Sequence, residues 1–180
     1  MTSSTLAPVR LALVGNPNTG KTALYNALTG SRQKVANYAG VTVERKEGRI
    51  RNPAGKPLRL LDLPGTYSLY PRSPDERVTC DVLAGRAKGE RQPDLVVCVL
   101  DATNLRRNLR LLLAVKRLGL PVVVALNMAD LAARRRRKRR LKEPRNDRGH
   151  ADRQLRLVHL EPGALLRLAG RAGRQIGRAH

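Results

Sequence analysis

The sequence predicts an α/β fold built on a doubly wound, mostly parallel sheet. Two features carry that expectation. Short β-rich runs alternate with amphipathic helical stretches at the spacing of βαβ units. The apolar share is also aliphatic: 41% of the 180 residues are hydrophobic, yet the aromatics are four Tyr with no Phe or Trp. Leu, Val and Ala must therefore fill the core, which suits strands covered by helices on both faces. The length allows one sizeable core and is short for two ordinary domains.

The elements follow in order. "VRLALVG" reads as a strand that "NPNTG" breaks, and "KTALYNALTG" as a helix with Leu24 and Leu28 on one face and Gly30 as its stop. "VTVERKEGRIR" and "PLRLLD" flank the turn "NPAGK" and read as a hairpin whose second strand ends at Asp62. In "SPDERVTCDVLAG", Ser73 is the N-cap, Pro74 the first helical residue and Gly85 the stop. "DLVVCVLDA" is apolar on both faces, as a central parallel strand should be. "LRRNLRLLLAVKRLG" suggests a helix with a stripe of Leu105, Leu109, Leu112, Leu113 and Leu118. "LPVVVALN" is expected to be another buried strand.

Charge divides the chain. The formal net charge is +22, from 36 Lys+Arg and 14 Asp+Glu; residues 134–180 hold 16 of the basic and 4 of the acidic residues. Such a balance favours polyanions without naming one. Cys80 and Cys98 form no CxxC pair and match no metal-ligand spacing, so both read as packing residues. No apolar run approaches the ~20 residues of a membrane helix. "MTSSTLAPVR" lacks the apolar stretch of a signal peptide, so the chain as it stands reads as soluble and cytoplasmic.

The chemistry is expected where strands end. "GNPNTGKT" comprises Gly15, Asn16, Pro17, Asn18, Thr19, Gly20, Lys21 and Thr22, with Ala23 following in the helix. It fits G-x-x-x-x-G-K-[ST] between a strand and a helix. Consecutive N–H groups of such a loop converge on phosphate oxygens, and the helix dipole adds to them. Lys21 should reach the β and γ phosphates, and the Thr22 hydroxyl should coordinate Mg²⁺. "DLPG" (Asp62, Leu63, Pro64, Gly65) places Asp62 to hold Mg²⁺ through water and offers the Gly65 N–H to the γ-phosphate. Thr42 precedes a strand in a segment that could bring its hydroxyl to the metal. "NMAD" (Asn127, Met128, Ala129, Asp130) decides the base: a carboxylate at Asp130 accepts the N1–H and exocyclic amino hydrogens of guanine, a donor pair adenine lacks. The expected ligand is thus GTP or GDP with Mg²⁺, on a P-loop GTPase fold. Thr66 follows Gly65 where a water-orienting glutamine stands in Ras-type enzymes, so slow intrinsic hydrolysis is predicted.

With these motifs located, residues Leu11 to Ala133 resemble the amino-terminal G domain of ferrous iron transport protein B (FeoB), a bacterial membrane GTPase. The stretches that carry the resemblance are "GNPNTGKTALYNALTG", "NYAGVTVERKEG", "LLDLPGTYSLYPRSPDE", "DATNLRRNL" and "GLPVVVALNMADLA". Tyr25 stands where that family usually has Phe, and Tyr38 where Trp is common. The resemblance implies catalytic roles for Lys21, Asn18, Thr42 and Gly65. It further implies K⁺ bound in part by Asn18 and compensating for the missing glutamine, a location at the cytoplasmic face of the bacterial inner membrane, and a membrane permease part as partner.

After Ala133 the pattern changes. The family would continue with an amphipathic helix, a sixth strand and a Ser-Ala loop backing the base; this chain has "RRRRKRRLKEP" and no such loop, with "QLRLVHLEPG" as a makeshift strand around Leu155 to Leu160. The expected organisation is a G domain over 1–133, incomplete at its carboxyl end, and a basic low-complexity tail over 134–180. That tail is read as frame-shifted or decayed, with an unstructured solvated tail or an anion-binding arm as alternatives. A competing function is a soluble small GTPase that binds ribosomal RNA through the tail. Tail charge fits it, whereas the lack of any aromatic residue in 134–180 to stack on bases speaks against it.

Overall fold

The computed structural model describes residues 8–30 and 33–142. The strands are β1 (Val9–Gly15), β2 (Gln33–Asn37), β3 (Glu44–Arg51), β4 (Pro57–Asp62), β5 (Leu95–Asp101) and β6 (Val122–Asn127). The helices are α1 (Lys21–Thr29), α2 (Pro74–Leu83), α3 (Leu105–Lys116) and α4 (Ala129–Lys142), with a 3₁₀ turn, Ala102–Asn104, ahead of α3. The six strands form one sheet in the order β2-β3-β4-β1-β5-β6. β4, β1, β5 and β6 run parallel, and β2 and β3 are antiparallel additions at one edge. The parallel strands therefore all deliver their carboxyl ends to one side, where the candidate motifs lie.

Local chemistry explains most boundaries. Gly30 caps α1 in the left-handed conformation, with its N–H on Asn26 O. The hairpin turn is held by Asn52, whose Oδ1 accepts the N–H groups of Ala54 and Lys56 at 3.0 and 2.9 Å. Ser73 caps α2 by accepting the Glu76 N–H at 3.2 Å, and Asp75 and Glu76 complement the dipole in its first turn. The core has two layers. Leu11, Leu13, Leu58, Leu60, Val97 and Val99 face Tyr25 of α1. Ala12, Val14, Leu61, Val96, Cys98 and Leu100 face α2 and α3. Both cysteines are free and buried, and burial pushes the Cys98 thiol up to about 12.

Two expectations need correction, and two further features were not anticipated. The leucine stripe of α3 is displaced: Leu113 and Leu118 are 55% and 38% exposed, while Leu111, Val115 and Asn108 are buried. Leucines occur all round this helix, so residue type alone did not mark its inner face. β6 is half-buried along Val122–Val124, because it borders the sheet among the described residues. The sheet also contains β2, a polar run that periodicity did not single out, at the opposite edge. Finally, α4 runs through Ala133 into the arginine block as far as Lys142, so the charge boundary is not an element boundary. The strand suggested at Leu155 to Leu160, and any base-backing loop, lie outside the described residues. Among the described residues no helix is long and apolar enough to cross a membrane.

Candidate functional site

Three strand ends build the site. β1 stops at Gly15, β4 at Asp62 and β6 at Asn127. Parallel pairing places Leu13 beside Asp62, Gly15 beside Val99 and Asp101 beside Asn127. Gly15 must be glycine, because an added Cβ would lie 2.7 Å from Val99 O and 2.8 Å from Thr19 Oγ1.

The loop then turns tightly. Thr19 Oγ1 donates to Asn16 O at 2.9 Å. Asn18 and Gly20 adopt left-handed backbone, with φ of 62° and 83°. This brings the chain to the first turn of α1, which has no side-chain cap and no acidic residue. The contrast with the capped, acidic start of α2 is informative: α1 leaves its amino-terminal N–H groups and positive dipole end for an outside anion. A cavity of about 550 Å³ opens there, lined by Asn16, Pro17, Asn18, Gly20, Lys21, Thr22, Gly65 and Met128. The Asn16 carboxamide on its wall is 3% exposed, and neither side-chain atom has a hydrogen-bond partner among the described residues. A buried polar group of this kind fits a polar ligand in the cavity.

Lys21 Nζ is hydrogen-bonded to Asp62 Oδ1 in a partly buried ion pair. The residue expected to meet phosphate and the residue expected to meet metal thus neutralise each other. Gly65 lies against the loop, a Cβ built on it falling 3.3 Å from Pro17. The neighbouring backbone is pinned by Leu63 N–H on Leu13 O and Thr66 N–H on Gly15 O, at 3.2 and 3.1 Å. Thr66 is fully buried and its hydroxyl donates to Ser68 O at 2.6 Å.

The β6 loop is tied to the same frame. Asn127 Nδ2 donates to Thr19 O at 2.9 Å, and Asn127 Oδ1 accepts the Met128 N–H at 2.9 Å. Met128 has φ 58°, and this reversal starts α4, with Asp130 exposed in its first turn. Ala129 packs on the core, while Ala23 is exposed in the first turn of α1. Thr42 is exposed in the loop between β2 and β3 and is not among the residues lining the cavity.

Sequence reasoning gave no structural role to Asn127 as a brace for the phosphate loop, nor to Thr79, whose hydroxyl donates to Pro64 O at 2.8 Å. The first is implicit in the spacing of the two motifs. The second has no sequence signal, because Thr79 sits among apolar helix positions.

A family model described as ferrous iron transport protein B matches residues 9–144, about three quarters of the chain. The chain belongs to the FeoB family. The match extends past Ala133 into the arginine-rich part of α4. The Escherichia coli (strain K12) Fe(2+) transporter FeoB is 52% identical over 127 residues, covering 68% of this chain and 16% of the transporter. The chain thus spans about a sixth of that relative's length. Solved FeoB domains agree in fold. The G domain of T. maritima FeoB matches with a TM-score of 0.64 and 43% identity, over 77% of this chain and 85% of that one. An S. thermophilus NFeoB variant bound to mGDP matches with a TM-score of 0.65 and 44% identity, over 72% and 47%. Within the FeoB family, then, this chain has the G-domain architecture of a P-loop GTPase, with a mixed six-stranded sheet.

Proposed function

We propose that this chain binds GTP and hydrolyses it slowly, as the G domain of a ferrous iron transport system, without itself containing the membrane part. The observation that carries the reading is the Asn127–Thr19 hydrogen bond. It ties the loop expected to read guanine to the phosphate loop beside the cavity, so that one ligand bearing both a guanine and a phosphate chain would span them. That an S. thermophilus relative is known bound to mGDP supports the same ligand.

Lys21 would leave Asp62 for the β and γ phosphates, and the Gly65 N–H would meet the γ-phosphate. The residues fit Mg²⁺, with Thr22 and the released Asp62 as holders and Thr42 brought in by the β2–β3 loop; the ion would neutralise charge on the phosphate oxygens. Asp130 would accept from the guanine edge. The Thr66 hydroxyl, engaged with Ser68 O, is in no position to orient the attacking water, which supports slow turnover in the absence of another source of stabilisation. Asn18, exposed in the loop, is the residue for K⁺, whose positive charge would offset the negative charge developing between the phosphates.

Phosphate release from GTP, measured in potassium and in sodium buffers of equal ionic strength, tests the reading. Faster turnover in potassium is expected, falling to the sodium rate in Asn18→Ala. Equal rates in both salts for the unaltered chain would reject the cation role. Absence of guanine nucleotide binding would reject the whole reading.

A further inference from the structure

We infer that Thr79 is a positioning residue for the γ-phosphate: by holding the Pro64 carbonyl it sets the direction in which Gly65 presents its N–H. The inference rests on the GTPase reading above and names how one contact of that site is built.

A threonine inside a helix ordinarily satisfies its hydroxyl on the carbonyl four residues earlier. Thr29 does so in α1, donating to Tyr25 O at 2.9 Å. Thr79 does not. It is fully buried on α2 between Val78 and Cys80, and it donates instead to Pro64 O at 2.8 Å, fifteen residues back in the chain.

Pro64 O and Gly65 N–H belong to one peptide unit. No peptide bond among the described residues is cis, so the two groups point in opposite directions within one rigid plane. Fixing the oxygen on α2 sends the N–H away from α2. Gly65 itself lines the phosphate cavity, packed against Pro17. The Thr66 N–H secures the unit that follows and the Leu63 N–H the unit two before, but the intervening Leu63–Pro64 unit has no N–H to contribute. No described backbone group holds the Pro64–Gly65 plane; the Thr79 hydroxyl does. A glycine at this plane is otherwise free to rotate, since it tolerates backbone conformations other residues avoid.

The test compares affinities of the full chain for GDP and for a non-hydrolysable GTP analogue, both with Mg²⁺, by nucleotide fluorescence. Thr79→Val keeps the side-chain shape and removes the donor. It is expected to weaken analogue binding about five- to tenfold, as the loss of one ordinary hydrogen bond does, and to leave GDP affinity unchanged. Thr79→Ser is expected to restore the analogue affinity to within about twofold, since the donor returns. Thr79→Ala is a second hydroxyl-free variant and should give the same split between nucleotides. Equal weakening for both nucleotides, no weakening for either, or failure of serine to restore the difference would overturn the positioning role. Failure of the GTPase reading looks different: the unaltered chain would bind neither nucleotide.

Discussion

Asp130→Asn is expected to exchange guanine for xanthine as the preferred base. On the proposed reading the carboxylate at the start of α4 accepts two donors from the guanine edge, and an amide in its place presents one donor where guanine also donates. The opposed N–H groups leave one unpaired, and the charge that strengthened the pair is gone. Xanthine carries an oxygen in place of the exocyclic amine, so the new amide N–H finds an acceptor. Guanosine nucleotide affinity should fall about a hundredfold or more, and xanthosine nucleotide affinity should rise above it, because a site built on such bonds discriminates strongly. Competition of GDP and XDP for a fluorescent nucleotide measures both. Retention of GDP affinity within a factor of three would show that Asp130, exposed in this structure, does not read the base.

Gly20→Ala should damage the phosphate and base halves of the site together. At φ 83° an L-residue is strained, at a cost of about 1–2 kcal/mol. The added Cβ would also stand 2.1 Å from Asn127 Nδ2, so the amide that donates to Thr19 O must withdraw. Losing that bond adds about 1 kcal/mol, and the two loops lose their common frame. Nucleotide affinity is expected to drop about a hundredfold, and the melting temperature by about 5 °C or more. Gly55→Ala is the control: its φ is 75°, but nothing lies within 4 Å of an added Cβ, so it should lower the melting temperature while sparing nucleotide binding. Equal affinity losses in the two variants would mean that backbone strain, and not the Asn127 contact, governs the effect.

The fold was legible where composition and local rules agree. The phosphate loop, the caps at Gly30 and Ser73 and the "NPAGK" hairpin each depend on residues close in sequence, and they stand where expected. β5 was legible because a strand buried on both faces must be apolar throughout. What was not legible depended on neighbours. The half-buried state of β6 follows from its place at the border of the sheet, and the strand character of β2 follows from pairing with β3. The inner face of α3 could not be chosen from a run of leucines, since several registers satisfy the helical period equally. The site shows the same division. Gly15 to Thr22 were gathered by sequence alone, whereas the Lys21–Asp62 pair and the Thr79–Pro64 bond join residues 41 and 15 positions apart. The expectation for Thr42 rested on a segment able to bring its hydroxyl to the metal, and the residue stands exposed and outside the cavity lining.

The ion pair between Lys21 and Asp62 has a thermodynamic consequence for how ligands enter. Each charge is only partly exposed, so removing one partner strands the other in a poorly solvated place. A triphosphate that draws Lys21 away leaves a bare carboxylate, and a divalent cation that draws Asp62 away leaves a bare ammonium. Arriving together, the two ligands leave neither. Nucleotide and metal should therefore show positive cooperativity, each raising the affinity of the other by the same factor, as linkage requires. Titrating Mg²⁺ with and without GDP, and GDP with and without Mg²⁺, gives the two factors; independent affinities would show that the pair opens without cost. Seen this way, the salt bridge is a competitor that both ligands displace together, favouring the metal–nucleotide complex over either component alone.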